Sequence, residues 1–352
     1  MQYNCEDFNA PCILVHGSSG NFDDELIIEK ITTCKKAASA GYKSLLNGAN
    51  SIEAVETTLW WLECDEFFNC GYGSVLNNIG NIQMDACIID GFKLECGSVA
   101  AVSDIEHPIS LAKYVLDNFP NSIVVGEGAK KLAESAKLNL LPKENMIAPT
   151  AYLTELEETS TCNVNLDIGD YYYGSNVGCI AYDGHTIAAG TTSGGSKGKL
   201  VGSVSDSSTL GCSVYANRIV GCSLTSHGES IAKFGLARII ANDIEKRYHP
   251  QKALKRNLDY TLDKYNYIVG GIVFKKTGEW SVYFTSHRMP YAVIMNDCMT
   301  YGTTLDDKKM EKYTEYRKLC DCKFPFVNNL ISESYITHSS IIEIYYTIFF
   351  LI

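Results

Sequence analysis

Between Lys137 and Asp170 the hydrophobic periodicity that marks helices and strands elsewhere in this chain fades. Glu155, Glu157, Glu158, Asp167 and Asp170 follow one another with no basic residue between them, the composition of a solvated linker. Order resumes at Val177–Tyr182, a tight apolar strand behind Gly174-Ser175-Asn176, and a hairpin partner at Thr186–Ala189 follows across Asp183-Gly184. A chain divided in this way reads as one domain over residues 1–300. It has an α part of about 1–136, an acidic linker of about 137–175 and a β part of about 176–300, leaving 301–352 as a C-terminal extension.

Ahead of the linker, Pro11 to His16 is a short buried strand that runs into the tight loop Gly17-Ser18-Ser19-Gly20-Asn21. A long helix is expected from Asp23 to Leu46. Ser51 serves as N-cap of a second helix, with Val55, Leu59 and Leu62 on one face. Asn69 to Ser74 breaks the chain, Ile82 to Gly91 reads as a strand ending in a turn, and helices follow at Pro108–Phe119 and Gly126–Ala136. Beyond the linker, Gly190 to Ser208 reads as a Gly- and Ser-rich loop system. His227 to Ile244 reads as one helix, with Ile231, Phe234, Ala237 and Ile240 on one face. Val269–Phe274 and Trp280–Thr285 form a hairpin turning at Thr277-Gly278. This order suits a layered α+β sandwich. A doubly wound nucleotide fold fits less well, because no Gly-x-Gly-x-x-Gly follows the first strand.

A net charge of −11 and the absence of a basic run argue against a nucleic-acid surface. The N-terminus has no basic segment leading into an apolar one, so a secretory signal is not expected. Fourteen cysteines are scattered with no Cys-x-x-Cys pair, and Cys87, Cys179 and Cys212 sit in apolar or Gly-rich runs. Buried, reduced thiols and a cytoplasmic location are the expectation, with no metal site and no cofactor. The apolar run from Ile341 to Ile352 is shorter than the roughly twenty residues that span a bilayer, so no membrane is required.

Several motifs recur in a telling order. They are His16-Gly17-Ser18-Ser19-Gly20, Asn69 to Ser74 through Met84 to Gly91, Gly174 to Gly178, Gly190 to Gly195 through Asp206-Ser207, Thr225-Ser226-His227-Gly228-Glu229-Ser230, and Gly270-Gly271. Together, over roughly Pro11 to Ala292, they resemble the threonine-dependent asparaginase family of N-terminal-nucleophile hydrolases. Met84–Gly91 and His227–Ser230 look like the L-asparaginase/isoaspartyl peptidases. Cys34-Lys35-Lys36-Ala37 and Val125 to Ala129 look like the threonine aspartases.

The resemblance implies a four-layer αββα sandwich of the N-terminal-nucleophile hydrolase type. In that family the precursor cuts itself before a Thr, whose freed α-amine is its own general base. It also implies a small-molecule or peptide amide substrate, a homodimer and a structural sodium near Leu62 to Cys70, with chemistry carried by protein groups alone.

Carried over by position, Asn176 occupies the place of the nucleophilic Thr, and a carboxamide has no O–H or S–H with which to attack. Ser175, one residue upstream, is the substitute hydroxyl, although a one-residue slip along a strand turns a side chain to the opposite face. Ser193 matches a hydroxyl beside the nucleophile and Thr225 an oxyanion-hole Thr. Ser226 stands where the family has Gly. Asp206 and the Gly228 carbonyl match the groups that hold the substrate α-amino group, Asn69 an Asn near the nucleophile, and Ser203 stands where an Arg grips the α-carboxylate. His227 reads as structural, and Asp85 and Asp90 flank a strand end rather than forming an acid/base pair.

Three readings follow: an amidohydrolase acting on asparagine or β-aspartyl amides, a non-hydrolytic relative serving as a binding module or partner subunit, and a threonine-aspartase-like protease.

Overall fold

The computed structural model describes residues 8–151, 175–226 and 228–313. The elements before the linker are β1 (Cys12–His16), α1 (Asp24–Leu46), α2 (Ser51–Glu63), β2 (Met84–Asp90), β3 (Glu95–Val102), α3 (Pro108–Asn118), β4 (Ile123–Val125), α4 (Gly126–Ser135) and α5 (Lys143–Met146). Those after it are β5 (Val177–Tyr182), β6 (Ile187–Ser193), β7 (Val214–Ala216), β8 (Val220–Ser226), α6 (Gly228–Ala232), α7 (Leu236–Glu245), α8 (Pro250–Tyr265), β9 (Val269–Lys275), β10 (Trp280–Phe284), β11 (Tyr291–Met295), β12 (Cys298–Gly302) and β13 (Lys309–Lys312).

Period-two alternation along the strands builds the layers. The large sheet runs β13-β12-β11-β1-β5-β6-β2-β3-β4 and the smaller β10-β9-β8-β7. Ile13 and Val15 of β1, with Val177, Cys179 and Ala181 of β5, pack against α1, α2 and α3. Their neighbours Cys12, Leu14, Ile180 and Tyr182 point the other way, onto Val214, Ile272 and Phe274 of the smaller sheet. That sheet's outer face, Val220, Cys222 and Leu224, is covered by α7 and α8. The result is helices, sheet, sheet, helices: the αββα sandwich that the resemblance implies.

Several local expectations shift. Asn50, not Ser51, caps α2: its side chain accepts from Glu53 N while Glu53 reaches back to Asn50 N, a reciprocal pair. Gly190 to Ser193 belong to β6 rather than to a loop. A Cβ on Gly190 would lie 2.7 Å from Val55 Cγ1, so the glycine lets α2 lie close on the sheet. The expected helix to Ile244 is two helices, broken at Gly235 with φ +59°. Residues 137–151 hold α5 and bury Met146, Ile147 and Ala148, and β13 extends the large sheet past residue 300. Most of the acidic linker (152–174), His227 and the apolar run 341–352 lie outside the described residues.

Candidate active site

Strand parity assembles the site. On β5 the odd positions from Val177 face the helices, so Gly178 and, one step before the strand, Asn176 face the gap between the sheets. On β8 Val220, Cys222 and Leu224 face outward, which turns Ser223 and Thr225 into the same gap. The two strands meet where a Cβ on Gly178 would lie 1.9 Å from Ser223 Oγ. From there Asn176 and Thr225 lie toward the same end. A serine chain spans it: Ser175 Oγ donates to Ser19 O (3.0 Å) and Ser19 Oγ to Thr225 O (3.4 Å). Val177 pairs with Thr192, so continuing the register by one residue sets Asn176 opposite Ser193.

The residues around position 176 divide by how they are satisfied. Asn176 is 1% exposed; its Nδ2 donates to Asp206 Oδ2 at 3.5 Å, while its Oδ1 has no partner among the described residues. Thr225 Oγ1, equally buried, has none either. Ser193 Oγ accepts from Gly195 N (2.9 Å), and Asn69 Nδ2 donates to Gly195 O (2.8 Å), so both brace the turn after β6. Ser226 Oγ donates to Ile268 O at 2.6 Å, drawing the hydroxyl onto the neighbouring chain. Ser175 is held by Ser19 O, and its own carbonyl accepts from Ser18 Oγ at 3.2 Å.

Beside these residues lies a cavity of about 80 Å³ lined by Gly195, Lys199, Ser203, Ser205, Asp206 and Gly228, among others. Asp206 is 3% exposed, and a Cβ on Gly228 would stand 2.2 Å from its Oδ1, so only glycine lets the chain run this close to the carboxylate. Ser203 is half-buried in the turn closed by its N–H to Leu200 O (3.0 Å). A larger cleft of about 470 Å³, with Trp280, Tyr291 and Lys308 in its wall, contains none of these residues.

Further buried groups underlie the site: Asp85 and His16 fall in motifs noted above, whereas Lys199 and Glu63 carry no sequence signal. Asp85 accepts from Ala101 N (2.7 Å) and Ser205 N (2.8 Å), with Lys199 Nζ 4.0 Å away. Asp90 instead closes a hairpin turn by accepting from Phe92 N. His16 Nδ1–H donates to Gly17 O (3.0 Å), which leaves Nε2 to accept from Ser223 Oγ at 2.7 Å. Burial lowers its pKa to about 4, so the ring is neutral. Glu63, at the end of α2, accepts from Thr192 Oγ1 (2.7 Å) and Ile109 N (3.1 Å), and burial pushes its pKa up to about 8.

Among the described residues no three His, Cys, Asp or Glu side chains converge as metal ligands. In the loop after α2, the carbonyl oxygens of Asp65, Glu66 and Phe68 lie 2.2 to 2.8 Å from where a Cβ on Gly73 would stand. Clustered backbone oxygens are the donor set of a hard cation, so this loop fits the sodium implied by the resemblance. The ten cysteines described are free; eight of them, Cys87, Cys179 and Cys212 included, are buried, while Cys64 is exposed and Cys298 half-buried. No described helix is long and apolar enough to cross a membrane.

An αββα sandwich with a polar site at the start of a central strand defines a class, and the comparison with known sequences agrees. The asparaginase family profile matches residues 9–303, and the chain belongs to that family. It is 37% identical over 300 residues to the isoaspartyl peptidase/L-asparaginase of Mus musculus, covering 83% of this chain and 90% of the relative. Its identity to the Xenopus laevis protein of the same name is 34% over 297 residues, covering 83% of this chain and 94% of that one. Against the Homo sapiens protein it is 34% over 307 residues, covering 84% and 97%.

Proposed function

We propose that this chain binds asparagine or a β-aspartyl amide in the Asp206 cavity and does not hydrolyse it by the covalent route of its family. The observation that carries this reading is Asn176 at the position that the resemblance gives to the nucleophile. A carboxamide offers neither a hydroxyl to attack the substrate nor one to cut the chain ahead of it. Its amide N–H is directed at Asp206 and its carbonyl has no partner among the described residues. Buried polar atoms without partners are costly, and a ligand that supplies the missing bonds relieves that cost. Asn176 Oδ1 accepts and Thr225 Oγ–H donates, which is the complement of a primary amide. The site therefore favours holding the bond that an active relative would break.

Ser175 is a poor substitute, because its hydroxyl already serves Ser19 O and its carbonyl Ser18. Intact mass of the purified full chain after prolonged incubation tests the reading, together with calorimetric titration of L-asparagine and an assay for released ammonia. Expected are one species at full-chain mass, saturable binding and no ammonia above buffer. Two fragments, the second beginning at Ser175 or Asn176, together with turnover would restore the hydrolase reading. Turnover of a protein substrate alone would favour the threonine-aspartase reading.

A further inference from the structure

The cavity beside Asn176 is lined by one cation and one anion, Lys199 and Asp206. We infer that Lys199 is the anion-binding group of this cavity and takes the α-carboxylate of an amino-acid ligand whose α-ammonium meets Asp206. The inference rests on the amide-binding reading above and names the residue that selects its ligand's head group.

Geometry carries it. The Lys199 side chain is 5% exposed, yet among the described residues one of its three N–H donors is used, to Gln83 O at 2.7 Å. Asp85 Oδ2, at 4.0 Å, lies beyond hydrogen-bond reach of the ammonium, and its oxygens already accept from Ala101 N and Ser205 N. A buried ammonium with unspent donors facing a cavity is poised for a second anionic partner. Burial without such a partner disfavours the charged form, and the Lys199 pKa is lowered for that reason.

Gly195 makes room for it. With φ +74° and no side chain, it lets the lysine stem lie along its backbone, and a Cβ there would stand 2.5 Å from Nζ. Position 203, where the resemblance places an arginine, holds a neutral hydroxyl in the same cavity wall. The cation of this cavity wall is thus Lys199. An ammonium is a compact donor set, whereas a guanidinium is a bidentate fork, so Lys199 pairs a carboxylate through single bonds.

Calorimetry on the full chain tests this with three ligands. They are L-asparagine, 3-aminopropanamide (which lacks the α-carboxylate) and succinamate (which lacks the α-ammonium). The wild type is expected to bind L-asparagine at least tenfold more tightly than 3-aminopropanamide, the range of a charge-assisted hydrogen bond. Lys199→Gln, which keeps a donor for Gln83 O, should erase that preference while leaving 3-aminopropanamide affinity within about twofold, and Lys199→Arg should retain part of it. A Lys199 that serves structure alone would weaken both ligands equally, and that result overturns the inference. Equal wild-type affinity for the two ligands also overturns it, with no variant needed should Lys199→Gln fail to fold. Failure of the wild type to bind any of the three would instead sink the amide-binding reading itself.

Discussion

The two ends of the site solve the problem of buried polarity differently. At the recognition end, Asp206 and Lys199 are ionisable and lie against glycines, Gly228 and Gly195, that leave them room. At the reaction end, Asn176 and Thr225 are neutral and each has a buried oxygen with no partner among the described residues. The contrast teaches that binding and bond cleavage draw on separate residue types. Recognition of an amino-acid head group needs an acid and a base placed together, and Asp206 and Lys199 line one cavity. Covalent chemistry needs one ionisable or nucleophilic atom at one place, and at the position that the resemblance gives to it the chain has a carboxamide.

Replacing Asn176 by Thr is the strongest attempt to break that contrast. If the ends are separable, Asn176→Thr should raise turnover of L-asparagine by ~10³-fold or more over the wild-type baseline. A fragment beginning at residue 176 should appear in the mass spectrum. Affinity for L-asparagine should fall by no more than about tenfold, the loss of one neutral acceptor for the ligand amide. An uncut, inactive Asn176→Thr protein would mean that the reaction end fails at a second point, with Ser226 the next candidate.

The reaction end rests on the His16–Ser223 pair, and pH addresses it. The unfolded chain protonates His16 near pH 6.5, whereas the folded chain keeps it neutral down to about 4. The stability due to neutral His16 is therefore present above pH 6.5 and is lost as pH falls toward 4, by about 3 kcal/mol. Denaturant midpoints should fall over that window in wild type and less steeply in His16→Gln. Glu63 works in the opposite sense. Its folded pKa is raised to about 8, so its contribution is present below pH 4.5 and is lost as pH rises toward 8. Glu63→Gln should accordingly flatten the alkaline limb.

At the recognition end, Asp206→Asn should weaken L-asparagine by roughly tenfold to a hundredfold and leave succinamate nearly untouched. Equal losses for the two ligands would show that Asp206 holds the loop rather than the ligand. The smallest effect expected is from Ser226→Gly, which removes a buried bond to Ile268 O. It should lower unfolding stability by about 1 kcal/mol in thermal melts, with ligand affinity unchanged.

Much of the fold was legible because its signals are local. Apolar runs placed β1, β5 and β9, and helical spacing placed α1, α2 and α3. Strand β3 gave no such signal: its Gly97, Ser98, Ala100 and Ala101 are small, and a Cβ on Gly97 would lie 2.0 Å from Ala112 O, so α3 demands small residues there. Asp206, Ser203 and Gly228 were found by motif and share one cavity. Lys199 was not found, since a lysine in a Gly- and Ser-rich stretch reads as solvated. Glu63 was missed for a related reason: a carboxylate at a helix end is ordinarily exposed, and here it is covered by α3 and β6.

What the residues alone determined is the layer order, the family and the carboxamide at position 176, because alternation, helical spacing and side-chain chemistry belong to short stretches of chain. Tertiary structure decided which charges face one cavity and which polar atoms go unpaired. Lys199 and Asp85, or Asn176 and Thr225, are far apart in sequence, and burial is set by what packs over a group rather than by its neighbours along the chain.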